Sequence, residues 1–171
     1  DYRAGYACRK ELGGGVILTQ SHALDWLIWF FGLPKKVNGV HGQLGGLGIN
    51  VEDVAKIALK FDNGVVASVD LDYIQRPAKR ELEIIGTDGK LFWNNDTLEV
   101  VNFTNSEIQT FKSPAGFERN AMYVEELKHF IDCVENRKEG FNNVVEASHI
   151  VNMASQILAG SRLEGDKAWP F

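Results

Sequence analysis

Apolar side chains near the start of the chain recur with the period of an α-helix. Four of them follow the spacing i, i+3, i+4 and i+7: Leu24, Leu27, Ile28 and Phe31. This stripe predicts a helix over residues 21–31, which Gly32 can end and Pro34 cannot continue. The apolar triplet at residues 16–18 comes just before this helix, after three glycines, and predicts a short strand.

The middle of the chain, residues 36–111, changes to the alternation of apolar and polar positions that is typical of strands. The alternation predicts strands at residues 55–61, 65–73, 80–85, 90–93, 97–101 and 107–111. Because the connections are short, among them the hairpin signal Asp62-Asn63-Gly64, we expect antiparallel pairing. One face of the predicted sheet is apolar, and the other carries charged side chains: Lys60, Asp70, Asp72, Glu81 and Glu83.

Two further amphipathic helices are predicted over residues 119–136 and 144–158. The apolar stripe of the first contains Val124, Leu127, Ile131 and Val134, with Phe130 beside it. The stripe of the second contains Ala147, Ile150, Val151, Ala154 and Leu158. Each stripe needs a sheet face to cover it. The pattern therefore predicts an α+β fold, a mostly antiparallel, open-faced β-sheet with helices packed on one side, in a single domain over residues 1–171.

Composition and charge narrow the classes of partner. Of the 171 residues, 44% are hydrophobic and 24% are charged, as in an ordinary globular protein. A net charge of −5 without a basic cluster argues against a nucleic-acid partner. The longest apolar run, residues 26–33, is shorter than the roughly 20 residues that span a bilayer, so we expect no membrane partner.

The cysteines and most of the histidines do not form a ligand pattern. Cys8 and Cys133 are far apart and follow no metal-ligand spacing, which predicts reduced thiols in a cytoplasmic protein. Cys133 lies in an apolar helical stretch and is expected to be a small core residue. His41, His129 and His149 also share no ligand spacing, so we expect them to be structural and propose no metal site.

The polar residues between the glycines and the first helix are the leading candidates for chemistry. Unpaired N–H groups and the positive end of the helix dipole lie at such a position. An imidazole such as that of His22 titrates near neutral pH and can relay the proton of a hydroxyl group. The alternative is a histidine that only caps or packs the helix. We expect Ser21 to be the N-cap, and Asp25 to be stabilised there by the helix dipole.

Basic and aromatic side chains precede the glycines, and a second basic group follows Tyr73. The first group contains Tyr2, Arg3, Tyr6, Arg9 and Lys10, and the second is Arg76-Pro77-Ala78-Lys79-Arg80. Arginine can hold a diphosphate or a carboxylate through two parallel hydrogen bonds. The candidate substrate-binding residues are therefore Tyr6, Arg9, Lys10 and Arg76. The alternative for both groups is ordinary solvated charge.

Four segments resemble a known enzyme family. GGGVILTQSHALDWL, at residues 13–27, resembles the glycine-rich motif at the start of the C-terminal domain of the Gfo/Idh/MocA oxidoreductases. The preceding DYRAGYACRKEL resembles members that act on nucleotide-linked or surface-polysaccharide sugars. Two further segments are similar to family sequences, LDYIQRPAKRELEIIGTDGKLFW and RNAMYVEELKHFIDCV. Together they occur in the family's order and cover most of the chain.

This resemblance implies the fold of the C-terminal domain of glucose-fructose oxidoreductase, the substrate-binding and oligomerisation half of a longer two-domain enzyme. It implies NAD or NADP held mainly by an N-terminal Rossmann domain, because no GxGxxG in a βαβ setting occurs here. Hydride would pass between the nicotinamide and a ring carbon of a sugar or nucleotide-linked sugar. His22 would relay the proton with a lysine of the N-terminal domain, and the open sheet face would form a homo-oligomer.

Thr19 departs from the family, in which an aspartate is usual at this position. A threonine cannot shift the pKa of an imidazole as a carboxylate does. It can still hydrogen-bond a substrate hydroxyl or orient His22, and it can equally fill the end of a strand. The departure leaves two rivals open: a non-catalytic binding or scaffold domain that keeps the fold, and a lyase or hydrolase that uses transient NAD oxidation. The chain alone is expected to be inactive.

Overall fold

A computed structural model describes the backbone of residues 2–163 and the side chains of residues 3–160. The chain divides into two compact units, a first unit that contains residues up to Ile74 and from Asn142 onward, and a second unit, Gln75–Phe141. Each unit contains one four-stranded sheet. Among the described residues, no helix has both the length and the hydropathy needed to cross a membrane.

The helices and strands follow one another in an α+β order. They are three 3₁₀ helices (Tyr2–Ala4, Tyr6–Cys8, Lys10–Leu12), α1 (Val16–Thr19), α2 (His22–Phe31), β1 (Pro34–Gly42), β2 (Val54–Phe61), β3 (Val66–Asp72), β4 (Glu81–Ile85), β5 (Gly89–Asn94), β6 (Thr97–Asn102), β7 (Ile108–Lys112), α3 (Arg119–Asn136), α4 (Val144–Leu158) and β8 (Ser161–Leu163). The prediction of an α+β fold with open, mostly antiparallel sheet is confirmed.

The strands form two sheets where the alternation predicted one. The first has the order β3-β2-β1-β8, antiparallel except for the parallel pair β1 and β8. The second has the order β4-β5-β6-β7 and is antiparallel throughout. Strand pairing stops after β3, where Ile74 N donates to the Asp72 side chain instead of to a neighbouring strand. The predicted charged face is therefore divided, with Lys60 in the first sheet and Glu83 in the second.

The core of the first unit lies between its sheet and the helices α1, α2 and α4. Alternate residues of β2 are buried, as the period of two predicted: Ala55, Ile57, Leu59 and Phe61. The α4 helix packs closely on β1, since a Cβ placed on Gly39 would lie 2.9 Å from the Ile157 side chain. Met153 and Ile157 are buried, whereas Val151, a member of the predicted stripe, is exposed.

The α3 helix is the largest departure from the predicted packing. Its apolar stripe is exposed rather than covered, at 41% for Val124, 58% for Leu127, 45% for Ile131 and 62% for Val134. Among the described residues, Cys133 is the buried position of this helix, and its Sγ lies 3.5 Å from His129 Nε2. The expectation of a core position for Cys133 is confirmed, while the expected sheet cover for the stripe is not found among the described residues.

Residues 16–18 lie in α1 and do not form the predicted strand. An apolar run this short fits a buried helix as well as a buried strand. Glu52 favours the helix because it accepts hydrogen bonds from the first backbone N–H groups of α1, which have no partner within the helix. Its backbone oxygen accepts from Val16 N at 3.0 Å, and its Oε1 accepts from Ile17 N at 3.1 Å. The prediction was wrong because the partner of the triplet lies 35 residues away in sequence.

Candidate functional site

The glycines of the motif allow close contact with other parts of the same chain. A Cβ on Gly14 would lie 2.5 Å from the carbonyl oxygen of Tyr6 and 2.6 Å from that of Ala7. Gly15 has φ +113°, donates its N–H to Ala7 O at 2.9 Å, and leaves no room for a Cβ beside the Glu52 carboxylate. The space that these glycines create is therefore filled by protein. They do not fit the role of a pyrophosphate-binding loop.

Thr19 ends α1 and is tied to the end of β3. Its Oγ1 donates to Gly15 O at 2.7 Å and forms a short hydrogen bond with the Tyr73 hydroxyl. The Thr19 and Tyr73 hydroxyls carry one proton each, and either can be the donor of the bond that joins them. The Tyr73 hydroxyl also lies 3.3 Å from Ala7 O, so α1, β3 and the N-terminal segment meet at this tyrosine.

Sequence reasoning missed Tyr73, although it recognised the strand that ends beside it. Thr19 and Tyr73 are separated by 54 positions, and periodicity carries no information about contacts at that distance. The structure places the Thr19 hydroxyl within the fold's own hydrogen bonds. A role for Thr19 in chemistry stays a prediction.

His22 is the first residue of α2, three positions after Thr19. Its ring is half-buried and meets Trp26 edge-on, with 6.2 Å between ring centroids. Ser21 occupies the N-cap position but makes no side-chain capping bond, which corrects the predicted cap. The physical reason is its helical backbone, φ −56° and ψ −24°, whereas a capping side chain reaches the helix from an extended N-cap. Asp25 lies in the first turn, as predicted.

Two of the predicted substrate-binding residues lie beside Asn50. The backbone N–H of Lys10 donates to Asn50 Oδ1 at 2.9 Å. Arg9 Nε forms an ion pair with Glu11 at 2.8 Å, and Asn50 lies 3.4 Å from the other Glu11 oxygen. Tyr6 is exposed. The structure thus brings Arg9 and Lys10 together with Glu11 and Asn50, two residues that sequence reasoning did not select.

Arg76 belongs to the second unit, whereas the other candidates belong to the first. Its Nη1 donates to the neighbouring Gln75 carbonyl at 2.8 Å. The Tyr2 side chain lies outside the described side chains. Of the four predicted substrate-binding residues, the first unit therefore contains Tyr6, Arg9 and Lys10.

A buried carboxylate holds the loop between β1 and β2. Asp53 is only 1% exposed, and its two oxygens accept from Leu44 N at 2.7 Å and Gly45 N at 2.9 Å. Both bonds are charge-assisted, so they hold this loop more firmly than neutral hydrogen bonds would. Tyr73 N donates to the Asp53 backbone oxygen, which links the loop to the same end of β3.

Burial raises the pKa of the Tyr73 phenol above its usual 10.0, while the hydrogen bond with Thr19 acts in the opposite direction. Replacing Tyr73 by phenylalanine should lower the free energy of unfolding by about 1–2 kcal/mol at neutral pH, because the bonds to Thr19 and Ala7 are lost. Above about pH 10 the unfolded phenol ionises first, so the wild-type advantage should shrink. Urea unfolding of both proteins across this pH range measures the difference. A constant difference at every pH would contradict it.

Comparison with known proteins agrees with this fold. Residues 2–92, more than half of the 171, match the family model of the GFO/IDH/MocA C-terminal domain. No curated protein sequence matches the chain.

Solved structures of longer chains are similar to this chain in fold. Levoglucosan dehydrogenase in complex with NADH and levoglucosan has a TM-score of 0.81 and 18% identity, over 92% of this chain and 51% of that one. UDP-N-acetylglucosamine 3-dehydrogenase GnnA from Acidithiobacillus ferrooxidans has a TM-score of 0.72 and 20% identity, over 85% of this chain and 47% of that one. Biliverdin reductase from Synechocystis sp. PCC 6803, in complex with biliverdin and NADP+, has a TM-score of 0.77 and 12% identity, over 92% and 49%.

The chain spans about half the length of these enzymes, and at such identities the likeness concerns the fold alone. The match over residues 2–92, on a fold shared with these structures, shows that the chain belongs to the GFO/IDH/MocA family.

Proposed function

We propose that this chain is the substrate-binding half of an NAD(P)-dependent oxidoreductase that acts on a sugar or a nucleotide-linked sugar. The observation that supports it best is the junction of α1 and α2, which lies inside the family match. Glu52 holds the start of α1 and Tyr73 holds its end. His22 therefore begins α2 next to a helix fixed at both ends, as a proton-relaying side chain requires.

His22 would take the proton of the sugar hydroxyl during oxidation and return it during reduction. Bound NAD or NADP would supply the acceptor or donor of hydride. Because protein fills the space beside Gly14 and Gly15, we infer that a further domain holds most of the dinucleotide. Thr19 keeps a lone pair that can accept from a sugar hydroxyl or orient His22. Tyr6, Arg9, Lys10 and Arg76 are proposed to bind the substrate.

The rival is a binding domain without catalysis. It is favoured by the neutral Thr19, whose hydroxyl already bonds Gly15 and Tyr73. An activity assay of the full-length protein distinguishes the two functions. The assay supplies NAD(H) or NADP(H) and a panel of neutral and nucleotide-linked sugars. Sugar-dependent change in nicotinamide absorbance supports the oxidoreductase. Sugar binding without hydride transfer in either direction supports the rival.

We also propose that the open face of the first sheet pairs two copies of the chain. Its outward positions are Lys36, Asn38 and Val40 on β1, Lys56, Ala58 and Lys60 on β2, and Val66, Ser68 and Asp70 on β3. Ala58 faces Asn38 on one side and Ser68 on the other, so the middle of the face is small and uncharged. Lys56 and Asp70 form an ion pair of 3.0 Å next to it.

Replacing Ala58 by arginine should convert a dimer into monomers. In a twofold dimer a residue near the axis meets its own copy, so two guanidinium groups would be forced together. Ala58 is exposed, and the change should leave the folded chain intact. Light scattering measures the mass of the variant and of a control, Thr110→Arg, on the exposed strand β7 of the other sheet. A wild-type monomer, or an unchanged dimer in Ala58→Arg, would contradict the proposed interface.

A further inference from the structure

Two half-buried hydroxyl groups of the first unit meet where α1 ends beside the end of β3. Thr19 Oγ1 lies 2.7 Å from Gly15 O, and the Tyr73 hydroxyl lies 3.3 Å from Ala7 O. The two hydroxyls also form a short hydrogen bond with each other. These are three contacts, whereas the two hydroxyls supply only two protons. The direction of the protons therefore decides which contacts are hydrogen bonds.

Two arrangements of the protons place one of them between the hydroxyl oxygens. In the first, Tyr73 donates to Thr19 and Thr19 donates to Gly15 O. In the second, Thr19 donates to Tyr73 and Tyr73 donates to Ala7 O. Neither arrangement leaves a carbonyl oxygen without a hydrogen bond, because Gly15 O also accepts from Thr19 N at 3.0 Å and Ala7 O also accepts from Gly15 N at 2.9 Å.

The Thr19 proton is used within the protein in both arrangements. The Thr19 oxygen keeps one open lone pair in the first arrangement and two in the second. It can therefore accept from a hydroxyl group of a ligand without losing an internal bond. Donating to a ligand would instead break its bond to Gly15 or to Tyr73. The half-buried Thr19 side chain thus offers a hydrogen-bond acceptor rather than a donor.

Tyr73 supplies the part of this arrangement that Thr19 cannot make by itself. The bond to Gly15 reaches a carbonyl four residues earlier, and any threonine in a helix can form it. The bond to Tyr73 comes from a residue 54 positions away and fixes the hydroxyl from a second direction. Burial raises the pKa of the Tyr73 phenol, so the phenol keeps its proton at neutral pH.

We propose that Tyr73 is a positioning residue that makes Thr19 the acceptor for one hydroxyl group of the substrate. The proposal rests on the proposed function, in which Thr19 lies beside the sugar. A free hydroxyl group satisfies this acceptor, whereas a deoxy or O-methyl position has no proton to donate. The hydroxyl pair would therefore select a free hydroxyl group at one position of the sugar ring.

Steady-state kinetics of the full-length protein test the proposal, with NAD(P)+ and the neutral or nucleotide-linked sugar that it turns over fastest. Tyr73→Phe and Thr19→Val should each raise KM by about tenfold, the size of a lost hydrogen bond. The value of kcat should stay nearly constant, because this bond is present in both the bound substrate and the transition state. The double variant should raise KM no further than Thr19→Val, since both changes act on one contact. Additive increases in KM would overturn the proposal.

Two further measurements separate positioning from a loss of stability. Among monodeoxy analogues of that sugar, one should raise KM by about tenfold in the wild type and cause no increase in Thr19→Val. Asn143→Ala is the matched control, because it removes the N-cap of α4 and destabilises the chain to a similar extent. Its KM should equal that of the wild type. An equal rise in KM in Asn143→Ala, or equal losses for every analogue in Thr19→Val and the wild type, would overturn the proposal.

The proposed function fails or stands separately. If sugars exchange hydride with the cofactor but Tyr73→Phe keeps the wild-type KM, the positioning role alone is lost. If no sugar exchanges hydride, calorimetric titration with the same sugars in the presence of NAD(P)+ replaces KM by Kd. A tenfold weaker Kd in both Tyr73→Phe and Thr19→Val then supports the positioning role, and the oxidoreductase proposal is lost. If no sugar binds, both proposals are lost.

Discussion

Asparagine in place of His22 should lower kcat for sugar oxidation in the full-length protein by about 10² to 10⁴-fold, the range for loss of a general acid or base. KM should change much less, because proton transfer contributes to the transition state and not to ground-state binding. Asparagine keeps a hydrogen-bonding group at the start of α2 but cannot take up a proton near neutral pH. Steady-state kinetics with NAD(P)+ measures both constants.

His149→Asn is the matched control for this experiment. His149 is a half-buried histidine on α4, and no proposed substrate or catalytic residue lies on that helix. Its turnover should equal that of the wild type. Equal turnover in His22→Asn would remove the catalytic role of His22 and favour the binding-domain rival.

Alanine in place of Gly15 should lower the free energy of unfolding by roughly 3 kcal/mol or more, combining backbone strain with overpacking. Gly15 has φ +113° and ψ 150°, a conformation that residues with a Cβ rarely adopt. The new Cβ would also displace the Glu52 carboxylate, which accepts from Ile17 N at the start of α1. Urea unfolding measures the loss through the shift in midpoint at constant slope.

Gly13→Ala is the control for Gly15→Ala. It tests whether any alanine in the glycine motif is equally destabilising, or whether the clash with Glu52 adds to the cost at Gly15. Gly13 has φ +76°, but no atom lies within 4 Å of the place that its Cβ would take. The cost should be about 1 kcal/mol, that of a left-handed conformation alone. Equal losses at Gly13 and Gly15 would show that the contact with Glu52 contributes nothing.

Elements whose stability depends on burial of one face were predictable from the chain. The α2 helix begins within one residue of the predicted start and ends at Gly32, which has φ +80°. The strands β2 and β3 and their Asp62-Asn63-Gly64 connection also agree with the prediction. In each case the pattern reflects which side chains avoid water, and that pattern is local.

The candidate site was predictable in its residue types but not in its contacts. His22 and Thr19 were selected by the motif, and Arg9 and Lys10 by their charge. Glu52, Asp53 and Tyr73 were not selected, although they hold α1, the loop between β1 and β2, and the N-terminal segment. Each of them forms hydrogen bonds with residues distant in sequence or with backbone groups. Such bonds leave no trace in the alternation of apolar and polar residues.

The sequence by itself determined the helices α2, α3 and α4, the strands β2 to β7, the α+β class and the family motif with its histidine. Only the tertiary structure decided that residues 16–18 are helical, that the strands divide into two sheets, and that the α3 stripe is exposed. The physical reason is the range of the interactions. Hydrophobic periodicity reports burial within one element, whereas the bonds of Glu52 and Tyr73 and the pairing of strands join segments that only folding brings together.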